Sequence, residues 1–346
     1  MTRYDQAAFG GSADLNVDRG VSSCCKYAPA VLEFAPDGSL VRQWGGPDQG
    51  YPWPVSPRGI AVDTEGNIWI GGGPAGTAPV AAAPEVYAGV AGAGGGEPPP
   101  PAAQFDGTVL KFSRTGEHIA TFGQAAAAVR GNTSMSAFVG ANDFAFDGDV
   151  AYVADGFGNN RVAIVDMATG EITGVIGAHG NAPSDEPLSP YQPGGTSPQQ
   201  FRSVTCVELS DDLLYVCDRG NNRIQVFDTD GEYVNELVIA PATLGSGSVA
   251  DIAFSPDQRF MYVADGMNER VHIVHRASLT WLTSFGIGGR QPGEFKELGR
   301  IVVDDEGNIY TGEDGQGRRI QQFRYLGMGP VPAEPPVVPL WPAEAL

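Results

Sequence analysis

Short apolar runs broken by turns of glycine, asparagine and aspartate fill most of the chain, and no segment has the apolar spacing of a long helix. Three segments show this pattern completely: 143–177, 206–238 and 251–286. Each begins with an alternating apolar strand, and its second strand ends in Tyr-Val-Ala-Asp or a close variant. A loop rich in glycine and asparagine follows, an arginine opens the third strand, and a turn leads to a fourth. One four-stranded unit is therefore repeated along the sequence.

Three further segments carry degenerate copies of the unit: 30–44, 59–123 and 300–323. The first shows only its outer two strands, the second has an insertion before its third strand, and the last lacks a fourth strand. Six antiparallel units of about 40–50 residues each are typical of the blades of a propeller. The sequence therefore predicts an all-β fold, a six-bladed β-propeller in which 1–346 form a single domain, and we expect the N-terminal segment to help close it.

Three regions fall outside the repeat: an irregular N-terminal segment 1–27, an insertion 73–104 rich in alanine, glycine and proline, and a proline-rich tail 330–346. The insertion cannot bury a core of its own. Two interpretations of it stay open, an excursion without fixed structure and a lid over one end of the central channel.

Charged residues recur in register at the loop between the second and third strands of four copies. We interpret them as ion pairs that brace each loop, because repetition from unit to unit is typical of a scaffold role. The predicted pairs are Asp155 with Arg161, Asp218 with Arg223, Asp265 with Arg270, and Glu313 with Arg319.

The chain has 346 residues, of which 41 are acidic and 21 are lysine or arginine, and its formal net charge is −20. This charge repels a nucleic-acid backbone and no basic cluster offsets it, so we expect no nucleic-acid partner. No run approaches the ~18 apolar residues that span a bilayer. The first residues lack the apolar core of a signal peptide, so the chain is either cytoplasmic or a mature exported form, and we favour a periplasmic or secreted protein. The oligomeric state is not indicated.

The four cysteines do not have the spacing of zinc ligands. Cys24 and Cys25 are adjacent and precede the first clear strand. Cys206 and Cys217 fall on neighbouring antiparallel strands, where either a disulfide or two buried thiols would fit.

The leading ends of the innermost strands of a propeller surround one mouth of its central channel. Polar residues fall at or just before these positions in successive copies, and we predict a ligand-binding role for Arg58, Asn142, Arg202, Thr205 and Arg300. Guanidinium groups bind carboxylates and phosphates in a bidentate manner, so we expect a small anionic or polar ligand. The alternative is that these arginines pair with internal carboxylates and only close the channel.

Three side chains are candidates for catalysis at the same mouth: His179, Asp143 and Arg58. His179 lies in a loop expected on that side and could act as a general base, with Asp143 as the second candidate. Asp143 and Asp251 could instead contribute to a calcium site together with backbone carbonyl oxygens of the channel. The sequence identifies no other cofactor.

Tyr-Val-Ala-Asp, a loop ending in Asn-x-Arg, and then Phe-Asp with an Asp-Gly turn resemble the NHL repeat, and this resemblance covers nearly the whole chain. The stretch from Cys24-Cys25 to Trp44-Gly45-Gly46 is similar to a bacterial subfamily of six-bladed NHL proteins. An enzyme of similar architecture, peptidyl-α-hydroxyglycine α-amidating lyase, holds zinc with histidines near the starts of its innermost strands and a structural calcium in the channel. The corresponding positions here carry no histidine, so we expect no zinc site of this kind: Arg58, Asn142, Thr205, Ala250 and Gly299.

Two functions stay open at this point. The first is a lyase or hydrolase that binds a small polar or anionic molecule at the channel mouth. The second is a non-enzymatic scaffold for protein interactions, since a propeller fold alone does not fix function.

Overall fold

The computed structural model describes residues 29–47, 49–54, 57–73, 107–123 and 131–328. The N-terminal segment 1–27 with Cys24 and Cys25, the insertion 73–104 beyond Gly73, and the tail 330–346 lie outside these residues. The described chain forms 21 strands, almost all of four to six residues, as the alternating apolar runs and turn signals predict.

Five antiparallel sheets form the blades, and in each sheet consecutive strands are neighbours. The strands of blade I are β3 (Pro57–Val62), β4 (Ile68–Gly72), β5 (Thr108–Phe112) and β6 (His118–Gly123); those of blade II are β7 (Ala141–Asp147), β8 (Val150–Asp155), β9 (Arg161–Asp166) and β10 (Ile172–Ile176); those of blade III are β11 (Val204–Ser210), β12 (Leu213–Asp218), β13 (Arg223–Asp228) and β14 (Tyr233–Val238); those of blade IV are β15 (Val249–Phe254), β16 (Phe260–Asp265), β17 (Arg270–His275) and β18 (Thr280–Phe285); those of blade V are β19 (Leu298–Val303), β20 (Ile309–Glu313) and β21 (Arg319–Phe323). Strands β1 (Val31–Phe34) and β2 (Leu40–Trp44) pair only with each other.

The prediction of six blades is wrong for the described chain, which shows five. The first repeat copy contributes only the β1–β2 hairpin, which packs through Val31 on Ile70 and Phe112 of blade I. No described strand lies on the inner side of this hairpin to make it a blade. The innermost strands β3, β7, β11, β15 and β19 pack on one another in that order around the channel, whereas β19 and β3 do not pack along each other to a comparable extent in the described part of the chain.

Apolar cores lie between successive blades. Between blades I and II the fully buried ring of Trp69 lies 5.2 Å from that of Phe122 and 6.0 Å from that of Phe144, measured between centroids. The indole N–H of Trp69 donates to Asp63 Oδ2 at 2.8 Å, so its polar end is satisfied inside the core. Each blade therefore covers one face of the next, as a propeller requires.

Buried ion pairs brace the connections between blades. In blade II, Arg161 Nε lies 2.9 Å from Asp155 Oδ2, and both side chains are completely buried. The same guanidinium donates to the carbonyl oxygens of Asn132 and Ala137, and Asp155 Oδ1 accepts the backbone N–H of Val139 at 2.7 Å. The pair thus fixes the segment that leads into β7, and not only its own loop.

Equivalent pairs form in blades III and V but not in blade IV. Arg223 Nε lies 2.7 Å from Asp218 Oδ2, and Arg319 Nε lies 2.6 Å from Glu313 Oε1. In blade IV the imidazole of His272 takes this place, with Nε2 3.1 Å from Asp265 Oδ2, and the predicted partner Arg270 makes no ion pair with described residues. The predicted pair of Asp265 with Arg270 is therefore wrong.

A disulfide joins Cys206 on β11 to Cys217 on β12, whose Cα atoms are 4.9 Å apart. The bond closes a short loop of the two innermost strands of blade III. We expect the double variant C206A/C217A to lose about 3 kcal/mol in its free energy of unfolding, from the added entropy of the unfolded chain. Urea denaturation checks this.

The matched control is chemical reduction. A phosphine reductant should lower the urea midpoint of the wild-type protein to near that of C206A/C217A and leave that variant unchanged. An equal midpoint for wild type and variant before reduction would show that the two cysteines are thiols in solution.

Candidate functional site

Equivalent positions of the five innermost strands meet at one level of the channel. Each of these strands has a register shift just after its first paired residue, so the residues can be matched by their pairing. The matched set at this level is Gly59, Asp143, Cys206, Asp251 and Arg300. Two acids and one arginine thus come together from strands that are far apart in the sequence.

Each of the two aspartates connects its own innermost strand to the next one, β7 to β11 and β15 to β19. Asp143 Oδ2 accepts the backbone N–H of Val207 at 3.2 Å, and Asp251 Oδ2 accepts that of Ile301 at 2.9 Å. One possible metal-ligand atom from each of Asp143, Asp251 and the intervening Cys206 lies within 4.8 Å of the other two. Since the sulfur of Cys206 is bonded to Cys217, it offers no thiolate at this level.

A third carboxyl group, Glu208, lies two residues further along β11 on the same side of the strand. It keeps an intermediate exposure although it lies deep among the surrounding strands, so its side chain lies on the channel wall. Burial raises the pKa of Glu208 well above its usual range, and the negative charges of Asp143 and Asp251 raise it further.

Burial also raises the pKa of both aspartates, to about 6 for Asp143 and about 7 for Asp251. The positive charge of Arg300 opposes this rise without cancelling it. The channel therefore contains carboxyl groups that hold protons close to neutral pH, the range that suits acid–base chemistry.

Arg300 brings a positive charge close to Asp251 and to two backbone carbonyl groups of the channel. Its Nη2 donates to the carbonyl oxygens of Asn142 at 2.7 Å and Arg58 at 3.3 Å, and its Nη1 lies 3.9 Å from Asp251 Oδ1. Calcium takes six to eight oxygen ligands, and here the available carbonyl and carboxylate oxygens serve a guanidinium. The calcium site at Asp143 and Asp251 stays a prediction, with Arg300 as a competing cation for the same oxygens.

Three guanidinium groups, from Arg58, Arg219 and Arg300, lie at one end of the channel, and we call them the arginine mouth. Arg58 lies over the ring of Phe157, 4.3 Å from its centroid. Arg219 comes from the loop after β12, and its Nε donates to Gly247 O at 3.3 Å.

The charges of the other two arginines act on the pKa of Arg219, which places the three groups close together. Burial lowers the pKa of Arg219, and the positive charges of Arg58 and Arg300 add to this effect. The negative charges of Asp314 and Asp265 raise the pKa of Arg219 and so act in the opposite direction.

Two predicted ligand-binding residues, Asn142 on β7 and Thr205 on β11, use their donors to hold neighbouring strands together. Asn142 Nδ2 donates to Val204 O at 3.0 Å, and Thr205 Oγ1 donates to Val249 O at 3.1 Å. The Asn142 Oδ1 atom is buried and accepts no hydrogen bond from the described residues. Of the pair, Asn142 therefore keeps a free acceptor.

His179 is not brought to the mouth, and its predicted role as a base beside Asp143 and Arg58 is not supported by its position. It lies in a 3-10 turn, Ala178–Gly180, which follows the outer strand β10. Its backbone N–H donates to Gln225 Oε1 at 3.0 Å, and its Nε2 lies 2.9 Å from Arg223 Nη1. Both partners are on the third strand of blade III, so the histidine packs between blades away from the innermost strands.

Arg202 also departs from the predicted cluster. It lies just before β11, and its Nη2 donates to the carbonyl oxygen of Ser189 in the long connection that precedes blade III. The arginine mouth contains Arg219 in its place.

The sequence contained a signal for both residues that were missed. Arg219 follows the repeated Asp218 at a position where blades II and IV have Gly156 and Gly266. Glu208 interrupts an apolar position that is alanine or valine in the other innermost strands: Ala61, Ala145, Ala253 and Val302. A charged residue at a position that is uncharged in the other copies of the repeat indicates function more strongly than a charged residue that recurs in every copy.

The comparison with protein families agrees with the propeller architecture. The NHL repeat matches residues 202–227, which run from the start of β11 into β13. No curated protein matches the sequence significantly. Among solved structures, the selenomethionine-substituted virginiamycin B lyase from Staphylococcus aureus is similar, with 12% sequence identity over 78% of this chain and 70% of that chain and a TM-score of 0.43. Within the described residues, no helix is long and apolar enough to cross a membrane.

Proposed function

We propose that the arginine mouth binds a small anionic molecule through a carboxylate or phosphate group. The observation that carries this proposal is the convergence of Arg58, Arg219 and Arg300 in a chain with a net charge of −20. Three like charges held together are costly, and an anion between them would lower that cost. Guanidinium groups also provide the paired donors that such oxyanions accept.

The carboxyl groups below the mouth support a reaction as well as binding. Asp143 and Asp251 have pKa values near neutrality, and Glu208 lies on the channel wall beside them. A ligand whose anionic group lies on the arginines would point its remaining atoms toward these carboxyls. We therefore favour a lyase or hydrolase in which Asp143 or Asp251 exchanges a proton with the ligand.

Binding is tested by calorimetric titration with succinate and, separately, with inorganic phosphate. We expect R58Q and R219Q each to weaken binding of the preferred anion at least tenfold, since each removes a charge-assisted contact. The matched control is R259Q, which removes an exposed arginine paired at the surface with Asp257. Unchanged affinity in both mouth variants would contradict the proposal.

A non-enzymatic scaffold remains the second candidate because Arg300 already contacts Asp251 and two backbone carbonyls. If the arginines only close the channel, neither anion will bind, and R58Q and R219Q will lower the melting temperature without any other effect. The same variants therefore distinguish the two functions.

We also propose that the protein works in an oxidising compartment, as a periplasmic or secreted protein. The disulfide between Cys206 and Cys217 supports this, because such bonds persist mainly outside the reducing cytosol.

A further inference from the structure

A second cavity, apart from the channel, lies beneath the long connection that leads into blade III. Its volume is about 550 Å³, which is within the range of small-molecule sites. Residues 187–192 and 195–200 form its walls, and Arg202 and Asn221 complete the lining. The walls include Leu188, Tyr191 and several prolines, so the cavity has both apolar and polar surfaces.

Asn221 lines this cavity and has an unused acceptor. Its Nδ2 donates to Asp218 Oδ2 at 2.8 Å and to Gln200 O at 2.9 Å, which fixes the orientation of the amide. Its Oδ1 is buried and accepts no hydrogen bond from the described residues, and the residue as a whole is only 3% exposed. A buried acceptor left without a donor costs free energy, so a donor is expected there.

The neighbouring blade shows what normally satisfies this atom. Asn159 is the equivalent residue of blade II, and its Nδ2 donates to Asp155 in the same way. There the Oδ1 atom accepts the backbone N–H of Gly131, from the segment that leads into the blade. In blade III the corresponding segment forms the cavity wall, and no described residue donates to the Asn221 oxygen.

Arg202 provides the complementary donor. Its backbone N–H donates to Asp218 Oδ1, as that of Val139 does to Asp155 in blade II, so the two positions are equivalent. The apolar residue of blade II is thus replaced by an arginine whose Nε is buried and donates to no described residue. Its alkyl chain packs on Gly220, where even a β-carbon would lie 2.4 Å from Arg202 Cγ. A side chain at that glycine would displace the arginine.

We propose that this cavity binds an N-acylated amino acid or the C-terminal residue of a short peptide. The carboxylate accepts from Arg202 Nε, the adjacent amide N–H donates to Asn221 Oδ1, and an apolar side chain packs on Leu188 and Tyr191. This ligand class supplies an acceptor for Arg202 Nε and a donor for Asn221 Oδ1. The site is separate from the arginine mouth and does not depend on the function proposed there.

Three probes test the proposal on the wild-type protein by calorimetry and saturation-transfer NMR. N-acetyl-L-leucine carries both the carboxylate and the N–H, its methylamide lacks the carboxylate, and 4-methylpentanoate lacks the N–H. We expect the first to bind with a Kd at least tenfold lower than either of the others. Equal affinities, or no binding by any probe because the cavity holds only water, would overturn the proposal.

Two variants test whether N-acetyl-L-leucine binds in this cavity. R202M should weaken binding of N-acetyl-L-leucine at least tenfold, whereas K296M, which changes the equivalent position of blade V, should leave it unchanged. Binding that R202M leaves intact would overturn the assignment to this cavity. The succinate titration of the arginine mouth should be unaffected by R202M, so failure of one proposal can be told from failure of the other.

Discussion

R161M is expected to lower the free energy of unfolding by about 4 kcal/mol, whereas R319M, at the equivalent position of blade V, should lower it by about 1 kcal/mol. Both arginines form the same ion pair, with Asp155 and Glu313 respectively. They differ in exposure, since the Arg161 side chain is 0% exposed and that of Arg319 is 25% exposed.

The size of the difference follows from what each variant leaves behind. Without Arg161, the buried carboxylate of Asp155 and the carbonyls of Asn132 and Ala137 lose their partner, and water has no access to replace it. The Glu313 side chain is as buried as that of Asp155, but the Arg319 side chain beside it is 25% exposed, so water can enter in its place, and the carbonyl of Arg290 is already exposed. Urea denaturation of both variants measures the two losses, and similar losses would show that burial does not govern the strength of these braces.

Stability is expected to fall as the pH rises from about 4 to about 7, because the folded protein holds protons on channel carboxyls that the unfolded chain releases near pH 4. The pKa of Asp251 is raised from 3.8 to about 7 by burial. Its protonated form stabilises the fold fully below pH 4, and this contribution is lost as the pH passes through the folded value. At 1.36 kcal/mol for each pKa unit, the loss is of the order of 4 kcal/mol.

D251N isolates this effect, because an amide resembles the protonated carboxyl and can still accept the Ile301 N–H. The variant should match the wild type at pH 4 and exceed it in free energy of unfolding by up to about 4 kcal/mol at pH 8. The control D257N concerns an exposed acid whose pKa is lowered by its hydrogen bond from Ser255, so its loss should destabilise at pH 8. A D251N protein less stable than wild type at pH 8 would contradict the assignment.

The strand pattern and the general position of the channel could be predicted from the sequence because they depend on alternation and repetition. Arg58 and Arg300 fall on innermost strands, and their register places them at the channel without any knowledge of loops. The count of blades could not be predicted in the same way. A hairpin such as β1–β2 has the same alternation whether or not two inner strands accompany it.

The errors in the site have a common physical origin. The side chains of His179 and Arg202 lie in connections, where packing against other segments decides their direction. Arg202 turns toward Ser189 because Gly220 leaves room for its alkyl chain. His179 is held by Gln225 and Arg223 of the following blade. Neither contact has a periodic signature in the sequence.

The buried ion pairs have a consequence for how the molecule loses its structure. Asp155 and Arg161 hold the segment that enters blade II from blade I. Part of the folding stability of blade II therefore depends on its junction with the preceding blade. Gly156 adds to this coupling in the other direction, since a β-carbon there would lie 1.8 Å from Val204 O of blade III. Blades joined in this way do not melt independently. Loss of one ion pair therefore destabilises the adjacent blades first, and cooperativity between neighbouring blades, more than the strength of any single sheet, sets the stability of the described propeller.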